Sequence, residues 1–224
     1  MPTKHRSALL DLIATHSFKL GDFTLASGLK SDYYIDCRTT TLHAQGGRLA
    51  GLVLYELIRE HMPSAVAVGG LTMGADPLVS NVASASAWAL ADYNETLALS
   101  SVLELDNQDQ GPAPTLVHGF LVRKAEKTHG TGRRIEGFLQ SGAQVVIVDD
   151  VCTTGGSTVT AIEAAREAGM IVAGVLCLVD REQGGRLIIE RALAEVPSDE
   201  DLPFLSVFTA KDVRKAHLAL RSQP

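Results

Sequence analysis

The sequence predicts an α/β fold in which a mostly parallel sheet carries helices on both faces. Three short runs, over residues 65–70, 144–148 and 171–179, are apolar or glycine at nearly every position. Such runs are typical of strands buried on both faces, whereas a half-exposed strand alternates apolar and polar residues. Between them lie longer segments whose apolar residues recur at helical spacing. Strands that alternate with helices indicate βαβ units and therefore a parallel sheet.

The first half of the chain contains two predicted helices before the first of these strands and one after it. The apolar stripe of the second helix includes Leu49, Leu52 and Val53, and Pro63 follows its end. Pro77 stands where a helix begins, since proline is tolerated in the first turn. In order, the predicted elements are a helix over 7–15, strands around a loop within 23–36, a helix over 45–61, a strand over 65–70 and a helix from Pro77 to about Ala91.

The second half repeats the strand-loop-helix order. Residues 107–114 contain a glycine and two prolines and predict a surface turn. The predicted elements that follow are a strand over 144–150, a loop over 151–157, a helix that ends at Gly169, a strand over 171–180, a short strand over 204–209 and a helix from about Lys211. Right-handed crossovers bring the carboxyl ends of parallel strands to one edge, so a ligand is expected there.

Charge and cysteine content narrow the expected partners. The chain has 26 acidic and 20 basic residues, a formal net charge of −6. Nucleic-acid-binding and membrane-binding faces need clustered positive charge, so neither partner is expected.

Three widely spaced cysteines without a Cys-x-x-Cys pair favour a reduced, cytoplasmic setting over a disulfide framework or a zinc site. The N-terminus lacks a signal-peptide pattern and no apolar run is long enough to span a membrane, so neither export nor insertion is expected.

The loop after the central apolar strand has the residue types that a phosphate site needs. Gly155 and Gly156 allow the backbone to approach a ligand closely, and Thr153, Thr154 and Ser157 add hydroxyl donors. The helix that follows would point unpaired N–H groups and the positive end of its dipole at an anion. This run therefore predicts that a phosphate binds here.

Two acids precede that loop and restrict the kind of ligand. Asp149 and Asp150 would repel a phosphate unless they hold ribose hydroxyls or a metal ion. The loop lacks the lysine of an ATP-binding phosphate loop, and Gly130 and Gly132 are followed by Ile135 where a dinucleotide site has its third glycine. On its own, a pair of acids or a pair of glycines more often marks the end of a strand and a polar turn than a ligand site. The combined run favours a phosphorylated ribose.

A cluster of positive charge stands out in this acidic chain. Five basic residues fall within twelve positions beside a single acid: Arg123, Lys124, Lys127, Arg133 and Arg134. Charge alone leaves two interpretations equally open. The segment is either a solvated basic loop or a flexible loop that closes over a diphosphate and stabilises its departing charge.

Four segments carry a resemblance to a known family. The segment VVIVDDVCTTGGST, residues 145–158, resembles the phosphoribosyl diphosphate signature of type I phosphoribosyltransferases, and RKAEKTHGTG, residues 123–132, is similar to the mobile catalytic loop of orotate phosphoribosyltransferases. The segments 23–36 and 68–77 resemble that family's N-terminal substrate segment and diphosphate-side loop. The resemblance implies a single domain over 1–224, with a hood over 1–42, a sheet core over 43–224 and a mobile loop over about 123–134.

The same resemblance implies roles for individual residues. It implies that five residues act in catalysis: Lys124, Lys127, His129, Asp149 and Asp150. It implies that phosphoribosyl diphosphate is bound by Thr72, Met73, Arg123, Lys124, Lys127, His129, Asp149, Asp150, Val151, Cys152, Thr153, Thr154, Gly155, Gly156 and Ser157. It implies that orotate is bound by Ser27, Gly28, Tyr34, Ile35, Thr153 and Arg181. Cys152, with no histidine close in sequence, is interpreted as a small packing residue of the loop rather than a nucleophile.

The implied reaction is transfer of a phosphoribosyl group from phosphoribosyl diphosphate to orotate in pyrimidine synthesis. Mg²⁺ is the implied cofactor, held largely by substrate and water rather than by dedicated protein ligands. A homodimer with a shared catalytic loop is implied as well. Ala26 and Met73 stand where some members have lysines. The alternatives are a purine-base phosphoribosyltransferase and a non-catalytic regulator that binds phosphoribosyl diphosphate.

Overall fold

Seven helices and eight strands make up the part of the chain that the computed structural model describes, residues 4–24, 30–103, 111–124, 134–195 and 202–222. The helices are α1 (Lys4–His16), α2 (Arg38–Thr41), α3 (Ala44–His61), α4 (Asp76–Val102), α5 (Gly156–Glu167), α6 (Gly185–Ala194) and α7 (Ala210–Arg221). The strands are β1 (Phe18–Thr24), β2 (Lys30–Ile35), β3 (Ala67–Leu71), β4 (His118–Val122), β5 (Ile135–Gly137), β6 (Gln144–Cys152), β7 (Ile171–Asp180) and β8 (Phe204–Thr209).

Six strands form the central sheet in the order β5-β4-β3-β6-β7-β8. All neighbours pair in parallel except β4 and β5, which are antiparallel at one edge. From β3 the chain runs to β4 on one side of it and later returns to β6 on its other side. Ligands of open parallel sheets bind at the carboxyl edge where the strand order reverses in this way. The crevice between β3 and β6 is therefore the expected site.

Helices cover both faces of the sheet, as the sequence predicts. Successive side chains of β6 point to opposite faces: Val146 and Val148 join one apolar cluster, and Val145 and Ile147 join the other. The first cluster takes in α1, α3, α4 and α7, and the second takes in α5 and α6. Burial on both faces explains why these strands read as unbroken apolar runs.

A small antiparallel sheet of β1 and β2 lies within the predicted hood. Phe18 and Ile35 anchor it in the cluster shared with α1, α3, α4 and α7, at 2% and 6% exposure. Asp32 on its outer side forms an ion pair with Arg214 of α7 at 2.8 Å. The buried Phe18 and Ile35 side chains hold this small sheet against the core, whereas the Asp32–Arg214 pair is exposed and adds little.

Several predicted boundaries were wrong, and each has a physical reason. The helix that begins at Pro77 continues beyond Ala91 to Val102, since residues 78–102 contain no glycine or proline to stop it. The strand expected to end at Asp150 continues to Cys152, which pairs with Asp180 of β7. The sequence prediction also omitted α2, β4, β5 and α6. Two of these have only 4 and 3 residues, too short for a periodicity to show.

Part of the predicted turn over 107–114 lies outside the described residues, and residues 111–117 form neither helix nor strand. None of the helices in the described ranges has the length and apolar character needed to cross a membrane.

Candidate active site

The loop after β3 and the acid pair of β6 lie side by side at the carboxyl edge. Gly74 is so close to Asp150 that a Cβ on it would stand 2.5 Å from the carboxylate Oδ1. The N–H of Thr72 donates to the carbonyl of Val122 at the end of β4, at 2.9 Å. The Thr72–Met73 peptide bond is cis, and the Met73 side chain is 69% exposed. Two predicted diphosphate residues, Thr72 and Met73, thus border the acid pair.

Backbone and hydroxyl donors hold the two carboxylates in place. Asp149 Oδ2 accepts a hydrogen bond from the hydroxyl of Thr158 on α5 at 2.7 Å, and Asp149 Oδ1 accepts from the N–H of Asp150 at 3.0 Å. Asp150 Oδ1 accepts from the N–H of Val151 at 3.0 Å. Each carboxylate keeps further acceptor capacity, since an ionised carboxylate has about four lone-pair sites. These oxygens are suited to accept hydrogen bonds from ribose hydroxyls.

Burial changes the protonation of this pair. Desolvation raises the pKa of Asp149 to about 7, with the negative charge of Asp150 adding to the shift and the Thr158 hydroxyl opposing it. Desolvation also raises the pKa of Asp150 above its ordinary value, and nearby Asp36 adds to that effect. Two adjacent carboxylates in a poorly solvated place disfavour being charged together. A cation or a set of hydroxyl donors at this edge would favour their ionised forms.

The loop between β6 and α5 has the backbone shape of an anion site. Gly155 caps α5 with φ at +80°, a conformation that side-chain-bearing residues rarely adopt, and a Cβ there would stand 2.8 Å from the carbonyl oxygen of Gly185. The side chains of Thr153, Thr154 and Ser157 form no hydrogen bond with any described residue. They therefore remain available to a phosphate at the N-terminus of α5, beside the exposed Gly156.

Two predicted members of this loop belong to β6 itself. Val151 is half-buried and pairs with Val179 of β7. Cys152 is 1% exposed and packs in the cluster with α5 and α6. Its N–H donates to Cys177 Sγ at 3.1 Å and its carbonyl accepts from the N–H of Arg181 at 2.9 Å. The Cys152 side chain is thus a core group, as its interpretation as a packing residue implies.

Arg181 follows β7 beside the loop between β6 and α5, and it is buried to 7% exposure. Its Cζ lies 4.8 Å from the centroid of the Tyr33 ring, and its Nη2 donates to Ser31 Oγ at 3.4 Å. The buried Nε has no hydrogen-bond partner, and the guanidinium forms no ion pair with any residue that the structure describes. Buried charges in proteins are normally paired, so this geometry calls for an anionic partner.

Strand β2 distributes its side chains over two faces. Ser31, Tyr33 and Ile35 face inward, and Ile35 is only 6% exposed. Tyr34 faces the other way, is 39% exposed and lies against Phe23 with ring centroids 5.5 Å apart. The sequence prediction named Tyr34 and Ile35 as orotate residues and missed Tyr33, the tyrosine that contacts Arg181. The alternation of the strand separates the two tyrosines, but which one faces the sheet depends on tertiary packing.

An ion pair that the sequence prediction did not name also borders the acid pair. Arg38 binds Asp36 through Nε to Oδ1 and Nη2 to Oδ2, both at 2.8 Å. This pair acts on Asp150, since the charge of Asp36 raises the pKa of Asp150 and that of Arg38 lowers it. No local pattern in the segment DCR, residues 36–38, indicates a place in the site. The effect of this ion pair on Asp150 depends on its distance from β6, which only the fold sets.

The basic segment is described only at its two ends. Arg123 forms an ion pair with Glu136 at 3.1 Å, and its N–H donates to the carbonyl of Arg134 at 2.9 Å. Lys124 is exposed. Four further predicted site residues lie outside the described ranges: Lys127, His129, Ser27 and Gly28.

Comparison with known proteins agrees with this arrangement. A family model described as "Phosphoribosyl transferase domain" matches residues 114–194, which include the acid pair, the phosphate loop and Arg181. The orotate phosphoribosyltransferase of Aquifex aeolicus is 37% identical over 211 residues, covering 93% of this chain and 97% of that protein. The chain belongs to the orotate phosphoribosyltransferase family.

Solved structures of this family share the fold. Orotate phosphoribosyltransferase of Mycobacterium tuberculosis in complex with Fe(III) dicitrate superposes with a TM-score of 0.68 at 32% identity, covering 93% of this chain and 98% of that one. The same enzyme in complex with phosphoribosyl diphosphate gives a TM-score of 0.64 at 29% identity, with coverage of 93% and 98%. The type I phosphoribosyltransferase fold and the family membership that the sequence predicts are both confirmed.

The acid pair makes stability depend on pH. The folded pKa of Asp149 lies above its unfolded value, so the folded state binds the extra proton between about pH 4 and pH 7. The free energy of unfolding therefore falls as pH rises through that window. We expect Asp149→Asn to gain stability relative to wild type between about pH 5 and pH 8, by on the order of 1 kcal/mol, in denaturant unfolding.

The matched control for this experiment is Asp92→Asn, the same change at an exposed position on α4. Its stability difference from wild type should stay constant over the same pH range. A constant difference for Asp149→Asn as well would contradict the raised pKa.

Proposed function

We propose that this protein is an orotate phosphoribosyltransferase that joins N1 of orotate to C1 of phosphoribosyl diphosphate. The products are orotidine 5′-monophosphate and diphosphate, a step of pyrimidine nucleotide synthesis. The observation that carries the choice of orotate is the buried guanidinium of Arg181, which has no carboxylate partner among the described residues. Orotate brings a carboxylate, and an arginine matches that group with two parallel hydrogen bonds. A purine base has no such group.

The donor substrate fits the carboxyl edge. Asp149 and Asp150 would accept hydrogen bonds from the ribose hydroxyls. The hydroxyls and N–H groups of residues 153–157 would bind the 5′-phosphate at the N-terminus of α5. The loop with Thr72 and Met73 would border the departing diphosphate, since Gly74 lies against Asp150. This proposal is supported by the structure of the Mycobacterium tuberculosis relative in complex with phosphoribosyl diphosphate.

Catalysis would come from positioning and electrostatics rather than from a covalent enzyme intermediate. As diphosphate departs, positive charge develops on the ribose ring and negative charge on the leaving group. The Asp149 and Asp150 carboxylates would stabilise the first. Arg123, Lys124, Lys127 and His129 would neutralise the second. Lys127 is the strongest candidate for contact in the transition state, and His129 would donate a proton to the diphosphate.

Mg²⁺ is proposed as the cofactor, and the residues present fit such an ion. Magnesium prefers oxygen ligands and retains several waters. The carboxylates of Asp149 and Asp150 are oxygen donors, and in the described part of the chain no group of three or more His, Cys, Asp and Glu could form a dedicated metal cage. When bound to the diphosphate, magnesium would supply positive charge that eases its departure. Substrate and water would complete its coordination.

A homodimer is proposed, in which the segment over 123–134 of one subunit completes the site of its partner. Each subunit would then supply Lys127 to one site and Asp150 to the other. The Lys127→Ala and Asp150→Asn proteins should each be strongly impaired alone. Mixing them under exchange conditions should restore about one quarter of wild-type activity per dimer, because half the dimers are mixed and each has one intact site. A mixture that remains inactive, although mass measurements show mixed dimers, would contradict the shared loop.

We propose a cytoplasmic setting and one domain over 1–224, with the hood at its N-terminal end. The setting is supported by the cysteines Cys37, Cys152 and Cys177, which are buried and unpaired.

The function is tested by offering one base at a time with phosphoribosyl diphosphate and magnesium. We expect orotate to be consumed while hypoxanthine and adenine are left unchanged. Consumption of a purine but not of orotate would favour the purine-base alternative. Binding of phosphoribosyl diphosphate without consumption of any base would favour a non-catalytic regulator.

A further inference from the structure

The hood holds Arg181 through an aromatic ring rather than through a charge. The guanidinium lies over Tyr33, with Cζ 4.8 Å from the ring centroid, and its one side-chain hydrogen bond to a described residue goes to Ser31 at 3.4 Å. Both contacts come from β2, whereas Arg181 follows β7 at the opposite end of the sequence. The contact therefore forms only when the hood packs against the core.

Tyr33 is itself backed by a column of rings. Its ring stacks on Phe18 with centroids 5.5 Å apart and planes within 16°. Phe18 is 2% exposed and in turn contacts His217 of α7 at 5.0 Å, and His217 is fixed by a 2.7 Å hydrogen bond to the carbonyl of Ala14. Tyr33 is thus packed against the buried ring of Phe18. Its ring is a rigid surface for the guanidinium.

We propose that Tyr33 is a positioning residue for orotate, which acts by holding the Arg181 guanidinium in the orientation that receives the substrate carboxylate. This inference rests on the proposed function and adds a residue to it. An arginine side chain has four rotatable bonds, and no carboxylate of the described residues fixes this one. Contact with a ring face restrains the guanidinium and leaves its edge nitrogens free for bidentate hydrogen bonds.

The neighbouring Tyr34 does not share this role. It faces the opposite side of β2 and lies against Phe23, so it makes no contact with Arg181. Restraint of the arginine before binding should lower the entropic cost of binding orotate. It should not change the binding of phosphoribosyl diphosphate. None of the described contacts of Tyr33 reaches Asp149, Asp150 or the loop between β6 and α5.

The test compares Tyr33→Leu with Tyr33→Phe. The first removes the ring, and the second keeps the ring and removes only the hydroxyl. We expect Tyr33→Leu to raise KM and the dissociation constant for orotate about tenfold, with KM for phosphoribosyl diphosphate and kcat at saturating orotate within about twofold of wild type. Tyr33→Phe should stay within about twofold of wild type in all four quantities. Asp32→Asn, on the outer face of the same strand, is the control for damage to β2 and should behave as wild type.

Three outcomes overturn the proposal while the proposed function stands. They are an unchanged KM for orotate in Tyr33→Leu, an equal rise in KM for both substrates, and a Tyr33→Phe variant as impaired as Tyr33→Leu. The first shows that the ring is dispensable, the second that its loss damages the whole site, and the third that the hydroxyl acts instead. A wild-type protein that consumes no orotate would instead contradict the proposed function itself.

Discussion

An Asp150→Asn variant is expected to lose about 100-fold in kcat/KM for phosphoribosyl diphosphate. The amide keeps the shape of the side chain, and its oxygen can still accept from the Val151 N–H at 3.0 Å. It loses the charge that would stabilise the developing positive ribose and one acceptor for a ribose hydroxyl. Hydrogen bonds to charged groups contribute about 1.5–3 kcal/mol, and each 1.4 kcal/mol is a factor of ten.

Steady-state kinetics of wild type, Asp150→Asn and Asp92→Asn would measure this effect. Asp92 is exposed on α4, away from the acid pair, and its isosteric replacement should leave both substrates' kinetics unchanged. Activity of Asp150→Asn equal to that of wild type would remove the acid pair from the mechanism. An equal loss in both variants would point to a fault of the preparation rather than to chemistry at the site.

The second large effect is expected at Arg181. Arg181→Gln should weaken orotate binding on the order of 100-fold, because it removes a charge-assisted pair with the substrate carboxylate. The free energy of unfolding without substrate should not fall. Wild type carries a buried cation with no ion-pair partner among the described residues, and a neutral amide is less costly to bury.

Calorimetry with orotate and denaturant unfolding would separate the two effects. Arg191→Gln on the exposed side of α6 is the matched control and should change neither quantity. A stability loss in Arg181→Gln of several kcal/mol would mean that Arg181 is a structural group. Orotate binding as tight as in wild type would mean that the carboxylate is bound elsewhere.

The central sheet could be predicted from the sequence because strands buried on both faces are apolar at nearly every position. The runs that contain Val68, Ile147 and Leu176 were each recognised as strands, and all three residues are fully buried. The position of the loop between β6 and α5 could be predicted for a similar reason. A strand, an acid pair, two glycines and a helix are contiguous in the chain, so local order alone brings them together at the sheet edge.

Contacts between distant segments could not be predicted in this way. Arg181 and Tyr33 meet because the hood packs on the core, and no local pattern encodes that approach. The choice between Tyr33 and Tyr34 depends on which face of β2 is buried, which a two-residue alternation leaves undecided. The Asp36–Arg38 pair could not be predicted for the same reason, since it affects Asp150 only once the segment after β2 packs near the end of β6.

The most direct measurement of the central claim is the stoichiometry of the reaction. Wild-type protein would be incubated with phosphoribosyl diphosphate, magnesium and orotate, and the amounts of orotate, diphosphate and orotidine 5′-monophosphate would be followed together. The arrangement of the acid pair, the phosphate loop and Arg181 predicts that one diphosphate and one nucleotide appear for each orotate consumed. Diphosphate released without loss of orotate, or no release at all, would contradict it.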